Sequence, residues 1–216
     1  MSKQPAAHLD APLTRGHKKR ARTRQGLLDA ALRVFARQDV AQTGLIDLAA
    51  EAEVSTGTIY NYFRTREEVA EALGIALASE FSETITQLSE GISNGAQRIA
   101  IGVRLFILRA IADPEWASAL VRIVHFDQGL RSTLALHVRD DIRAGAEQGH
   151  LDFVDEALAL DLVVSCATGA MRAAVEGRTV ENHDSKVAEM VLKALGATPA
   201  KARRLASVPL PQSAHS

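Results

Sequence analysis

The sequence predicts an all-α chain, and three observations carry that expectation. Apolar residues recur at helical spacing, beginning with Leu28, Ala31, Leu32 and Phe35 at i, i+3, i+4 and i+7. The alternation of apolar and polar residues that marks a half-buried strand is missing from the 216 residues. Breaks at Gly91, Asp113-Pro114, Gly129, Gly149 and Gly177 divide the chain into helix-length pieces. With 47% apolar residues the chain can bury a substantial core, as one large domain or as a small domain joined to a larger one.

Taken in order, residues 1–17 contain Pro5, Pro12 and Gly16 and read as a flexible arm. A basic run follows, with Lys18, Lys19, Arg20, Arg22 and Arg24, and leads into the Leu28–Phe35 stripe. Thr43 is expected to cap a second helix of about two turns whose inward face is Leu45, Leu48, Ala49 and Ala52. Ser55 is expected to cap a third, with Ile59 and Phe63 turned inward. After a break near Arg64-Thr65, residues Val69, Leu73 and Leu77 begin a long fourth helix. The expected helices beyond are 67–89, 95–112, 114–126, 129–148, 155–177 and 184–196, with residues 201–216 as a tail bearing Pro209 and Pro211. This divides the chain into a head over 18–66 and a helical body over 67–200.

The charge is unevenly placed. Residues 1–66 carry 11 Lys/Arg against 6 Asp/Glu, whereas residues 67–216 carry 14 against 20, so a net of +5 faces a net of −6. Such an asymmetry suits a head that meets a polyanion. The single cysteine, Cys166, lies in an apolar run and excludes a disulfide framework within the chain, which fits a reduced cytoplasmic setting. The polar N-terminus has no apolar signal-like core, and apolar runs such as 99–112 are short and interrupted by arginine, so no membrane span is expected.

The stretch VSTGTIYNYFRTREEV, residues 54–69, places three of the nine aromatic residues of the chain within four positions, beside two arginines. A short helix, a turn and a second short helix that opens with small hydroxylated residues make a helix-turn-helix. Thr56, Gly57 and Thr58 are small enough to let that second helix approach the major groove, and threonine can bond to base edges. Tyr60 and Tyr62 are expected to project from the side opposite the core, where their hydroxyls reach phosphate oxygens, with Arg66 adding a charged contact. Taken singly, each residue has a plainer reading as packing, a helix start or a solvated face. The coincidence of basic arm, paired short helices and polar aromatic turn favours DNA.

The segment LIDLAAEAEVSTGTIYNYFRTREEVAEAL resembles the DNA-binding signature of the TetR/AcrR transcriptional regulators. The matching positions are Leu48, Ala49, Ala52, Glu53, Val54, Ser55, Gly57, Thr58, Tyr60, Tyr62, Phe63, Arg66, Glu67 and Val69. The resemblance implies phosphate-contact roles for Tyr60, Tyr62 and Arg66 and groove-facing positions for Thr56, Gly57, Thr58 and Asn61. Lys19, Arg20, Arg22, Thr43 and Ser55 complete the candidate DNA-binding set. Two positions depart from the family pattern: Glu53 stands where the turn usually has glycine, and Gly44 where serine or threonine is common. A residue other than glycine at that turn implies conformational strain if its φ is positive.

The resemblance further implies a C-terminal antiparallel helical bundle that houses a small-molecule site and forms a homodimer. It places the subunit contact on 155–177 and 184–196, with Leu162, Cys166, Ala167, Ala170, Val187, Met190 and Val191 as candidates. The first of these helices is apolar nearly all round, as a helix covered on two sides must be. Arg104, Phe106, Arg109, Trp116, His125, Phe126 and Cys166 are the candidate ligand residues. The 95–148 helices are mostly aliphatic, so a neutral or anionic apolar effector of fatty-acid or acyl type is expected, with Arg104 or Arg109 as the candidate partner of its polar end; the plainer reading of both arginines, and the favoured one, is a salt-bridged or solvent-facing side chain. The seven histidines are scattered, without metal-ligand spacing, and no phosphate-cradling or nucleophile motif occurs. Neither metal, cofactor nor catalytic activity is therefore expected. The expected function is a ligand-responsive, operator-binding regulator acting as a repressor. A constitutive or architectural helix-turn-helix protein is the alternative, and a helical enzyme would need convergent titratable groups that the sequence lacks.

Overall fold

The computed structural model describes residues 15–126 and 136–211. Ten α-helices are seen among them: α1 Arg15–Arg37, α2 Leu45–Glu51, α3 Thr56–Tyr60, α4 Arg66–Leu88, α5 Gly95–Ala112, α6 Pro114–Phe126, α7 Leu136–Glu147, α8 Glu156–Val175, α9 His183–Ala194 and α10 Pro199–Ala206, with a 3-10 turn at Val40–Gln42. The described residues contain no strand. The arm expected over 1–17 lies outside the described residues up to residue 14, while 15–17 already belong to α1. The break expected at Gly129 and the end of the tail also lie outside them.

Local chemistry accounts for most helix starts. The side-chain oxygens of Ser55, Thr65, Asn94, Asp155 and Thr198 each accept the backbone N–H three residues on, meeting one of the donors a helix start leaves free. Two expectations fail here. Thr43 is not the cap of α2: Gly44 is, and its N–H donates to Asp47 at 2.8 Å. Thr43 is instead 1% exposed, accepting from Gln38 and donating to the Asp39 carbonyl, which removes it from any DNA contact. The tail expected from residue 201 is helical to Ala206, since Thr198 caps α10, Pro199 opens it, and Ala202, Leu205 and Ala206 are buried.

The core divides into two apolar clusters. One joins Leu28, Phe35, Leu48, Ile59 and Phe63 of the head to Leu73 and Leu77 of α4 and to Leu120 and Ile123 of α6. The other gathers Ile99, Ile107, Ile142, Val163, Leu192 and Leu205 from α5 and α7–α10. Helix α5 runs through the middle of the body and touches α4 and each of α6–α10. Its start lies against α7 at backbone distance, for a Cβ on Gly95 would fall 2.3 Å from the Asp141 carbonyl oxygen. Only glycine permits that approach, and it brings the Arg98 and Asp141 side chains together at 2.5 Å.

Candidate nucleic-acid interface and effector cavity

The head presents one continuous polar edge. Ile59 is buried and fixes the orientation of α3, leaving Ser55, Thr56, Gly57, Tyr60 and Asn61 exposed, with Tyr60 53% exposed. Tyr62 is half-buried, and the Arg20 guanidinium lies 5.5 Å from its ring centre, while Arg24 lies 5.4 Å from that of Phe63. These contacts dock the basic run of α1 beside the recognition edge, where Lys19 and Arg22 are exposed. Thr58 is partly committed, since its hydroxyl and that of Ser55 lie 2.8 Å apart. Arg66 is engaged as well, donating to the Ala41 carbonyl at 2.6 Å and to Glu67 at 3.0 Å. It therefore ties the start of α4 to the 3-10 turn and offers only its remaining donors to a phosphate.

Glu53 has φ of 55°, so the turn between α2 and α3 does hold a non-glycine residue in the left-handed region. Just before that turn Glu51 ties the end of α2 to α1, accepting from Arg33 and from Arg37, both at 2.6 Å. These hydrogen bonds, that from Arg33 first, hold the Glu51 carboxyl below the usual glutamate range.

Where the two apolar clusters meet lies a cavity of about 110 Å³. Leu77, Ala78, Phe81, Ser82 and Ile85 of α4 form one wall, Trp116 and Leu120 of α6 another, and Ile99, Gly102, Val103 and Phe106 of α5 a third. Helix α8 closes it with Val163, Val164, Ala167 and Thr168, and Arg98 and Asp141 stand at its polar end with Val138 beside them. Phe81, Phe106 and Trp116 pack as a mutual trio with ring centres 5.4–5.7 Å apart. Of the expected ligand residues, Phe106 and Trp116 reach this cavity. The lining is more aromatic than expected, because Phe81 comes from α4, outside the helices from which an aliphatic cavity was anticipated.

The other ligand candidates are placed elsewhere. Arg104 is largely buried, paired with Asp184 at 2.9 Å and donating to the Val208 carbonyl, so it pins α9 and the C-terminal segment and has no free face for an effector. Arg109 is half-exposed, bonded to Asp113 at 3.2 Å and 5.5 Å from the centre of the Trp116 ring. His125 and Phe126 border an open groove of about 470 Å³ between the head and α8, and Cys166 is exposed on α8. The pair Arg98–Asp141, which the sequence reading missed, is separated by 43 residues and gave no local signal.

Helix α6 links cavity and head. One of its faces carries Trp116 and Leu120 into the cavity. Two residues on, Arg122 donates to the Ala36 carbonyl in the last turn of α1 at 2.8 Å, with Asp39 at 3.4 Å.

On the outer side, α8 is long and apolar enough to span a membrane by composition, yet it is packed against α5, α6, α7 and α9. Only 39% of its most apolar stretch is buried within one protomer. Leu158 is 66% exposed, Cys166 and Gly169 are exposed, Leu162 and Val187 are half-buried, and Met190 on α9 is 69% exposed. Three expected contact residues belong elsewhere: Val191 and Ala170 are core residues at 0% and 7%, and Ala167 lines the cavity.

A helix-turn-helix head joined through α4 and α6 to a cavity-bearing helical body defines a DNA-binding regulator with a ligand-binding domain. Residues 27–73 match the family model for bacterial regulatory proteins of the tetR family, and residues 94–208 match the tetracyclin repressor-like C-terminal domain. The chain belongs to the tetR family of transcriptional regulators, which are not enzymes. Among curated relatives, the transcriptional regulator LuxR of Vibrio harveyi is 37% identical over 75 residues, 32% of this chain and 37% of that protein. AlkX of Mycobacterium tuberculosis is 29% identical over 109 residues, 50% of this chain and 52% of its own. The chain thus spans about half or less of the length of these relatives. Among solved structures, RolR in complex with resorcinol superposes with a TM-score of 0.68 at 24% identity, covering 90% of this chain and 98% of that one. A putative tetR-family regulator from a Shewanella species gives 0.70 at 22% identity, covering 82% and 98%. At such identities these two establish the fold.

Proposed function

We propose that the protein is a homodimeric repressor released from a pseudo-palindromic operator by a small apolar effector. The observation that carries this reading is the position of the cavity, on the boundary between the cluster that contains the head and the cluster that forms the body. A molecule seated there touches α4 and α6, the two body helices packed against α1, and so binds with different affinity when the head is differently placed. A constitutive or architectural DNA-binding protein has no use for such a cavity.

Lys19, Arg20, Arg22, Tyr60 and Tyr62 position the head on phosphates, while Thr56, Gly57 and Asn61 face the groove. The uncovered faces of α8 and α9, centred on Leu158, Leu162, Cys166 and Met190, form the two-fold contact. The acyl effector expected from sequence relied on Arg104 or Arg109, and both are engaged outside the cavity. FadR of Bacillus halodurans is named as a regulator of fatty acid degradation, and RolR is seen with resorcinol. Selection of bound fragments from random duplex DNA tests the reading. Two-fold symmetric sites with half-sites about one helical turn apart are expected. Recovery without symmetry or sequence preference would point to the architectural alternative.

A further inference from the structure

The chemistry of the cavity narrows its occupant. A dry engineered cavity of roughly 150 Å³ takes a benzene molecule, so one of about 110 Å³ encloses at most a ring-sized skeleton, and a long acyl chain would have to run out beyond its walls. Among the described residues of its lining, Arg98 and Asp141 are the ionisable ones, and they neutralise each other at 2.5 Å. Arg98 spends a further donor on the Ile92 carbonyl at 2.8 Å. A charged occupant would therefore sit on an apolar, charge-balanced wall without a counter-ion, which desolvation penalises heavily. A neutral hydroxyl or carbonyl group can instead bond toward the Arg98–Asp141 pair or to the Ser82 hydroxyl, while Phe81, Phe106 and Trp116 supply ring contacts to the skeleton.

We propose that this cavity takes a compact, uncharged, ring-sized molecule bearing one hydroxyl or carbonyl group, directed at the Arg98–Asp141 end. The inference rests on the effector-responsive reading above and adds the chemical class of the effector. It predicts discrimination by charge at constant shape and discrimination by length at constant polarity.

Trp116 is the single tryptophan of the chain and lines the cavity, so its fluorescence reports occupancy directly. The experiment titrates the full-length protein with benzyl alcohol, benzoate, benzylammonium and decanoate. A parallel titration uses Gly102→Ala, whose added Cβ meets Ile85 at an ordinary 3.8 Å and so narrows the cavity without disturbing the helix. Benzyl alcohol is expected to change Trp116 emission saturably, with benzoate, benzylammonium and decanoate each at least about tenfold weaker. Gly102→Ala is expected to weaken benzyl alcohol by about tenfold, as overpacking of a small site does. Tighter binding of either charged analogue or of decanoate overturns the inference. So does the absence of a response to benzyl alcohol, or equal affinity in Gly102→Ala. Operator binding by the same preparations without probe keeps the two readings separate: its loss counts against the regulator, whereas a failed titration with operator binding intact counts against the effector class alone.

Discussion

Removing the Arg122 clamp should uncouple the cavity from the head. In Arg122→Met the stem remains, but the last turn of α1 loses the donor to the Ala36 carbonyl at 2.8 Å. The longer approaches to the Phe35 and Ser118 carbonyls, at 3.5 and 3.4 Å, add little at those distances. A hydrogen bond from a charged donor contributes about 1.5–3 kcal/mol, and a cation at a helix C-terminus about 0.3–1 kcal/mol. The pair with Asp39 spans 3.4 Å to a side chain that is 66% exposed, so its share is about 0–1 kcal/mol and screened by salt. Because the arginine is itself about one-third exposed, we place the total at the low end, about 2 kcal/mol. Urea unfolding measures this directly, and operator binding with and without an effector measures the coupling. We expect a stability loss near 2 kcal/mol, retained operator binding, and an effector response reduced by roughly tenfold or more. A loss below about 0.5 kcal/mol would show that the clamp is not formed in solution. A full loss with an unchanged effector response would route the coupling through α4 instead.

Three further outcomes follow from the same geometry. Glu53→Gly relieves a left-handed residue worth about 1–2 kcal/mol of strain while adding chain entropy worth about 0.5–1 kcal/mol, so urea unfolding should show a net gain of about 0.5–1 kcal/mol. A net loss would mean that the Glu53 side chain holds the turn. Arg104→Met strands a buried Asp184 and the Val208 carbonyl and should cost about 3–5 kcal/mol in the same assay, much of it recovered by adding Asp184→Asn. Effector affinity should not change in the double variant; if it falls, Arg104 belongs to the ligand site after all. The carboxyls of Glu51, Glu156 and Glu189 lie below the usual glutamate range because of hydrogen bonds from Arg33, Arg143 and Lys193 respectively. Their contribution is complete above the ordinary glutamate pKa of about 4.3 and is lost as pH falls through the lowered values. Thermal stability should therefore fall on acidification below about pH 5, less steeply in Glu51→Gln, and an identical pH profile in that variant would remove Glu51 from the account.

Features set by neighbouring residues were legible in the sequence. The Leu28–Phe35 stripe, the Ser55 cap, the inward Ile59 and Phe63 and the strained Glu53 turn each depend on spacing within a few positions, and all appear in the fold. What depends on partners far along the chain was not. A salt bridge was the plainer reading of Arg104, but its partner, Asp184, is 80 residues away and invisible to local pattern. Thr43 is a different case, for the partners of its hydroxyl, Gln38 and the Asp39 carbonyl, are only five and four residues away; what the helical pattern did not show is the 3-10 turn at Val40–Gln42 that brings them together. Val191 and Met190 are adjacent apolar residues on one amphipathic helix, and packing decides that the first is core and the second exposed. The cavity was the least legible, since four helices supply its walls and its polar end joins α5 to α7.

The central claim is that the basic edge of α1 and the exposed edge of α3 together hold a DNA duplex, and salt dependence tests it most directly. On a selected operator, log K should fall steeply and linearly with log[salt], as neutralised phosphates release counterions. Lys19→Ala and Arg22→Ala change exposed side chains outside the core and should leave the head folded. Each should make the slope shallower by about 0.9 per lost contact per subunit, while weakening all DNA sequences alike. Unchanged affinity and slope in the double variant would contradict the account, for the duplex would then lie on some other face of the protein.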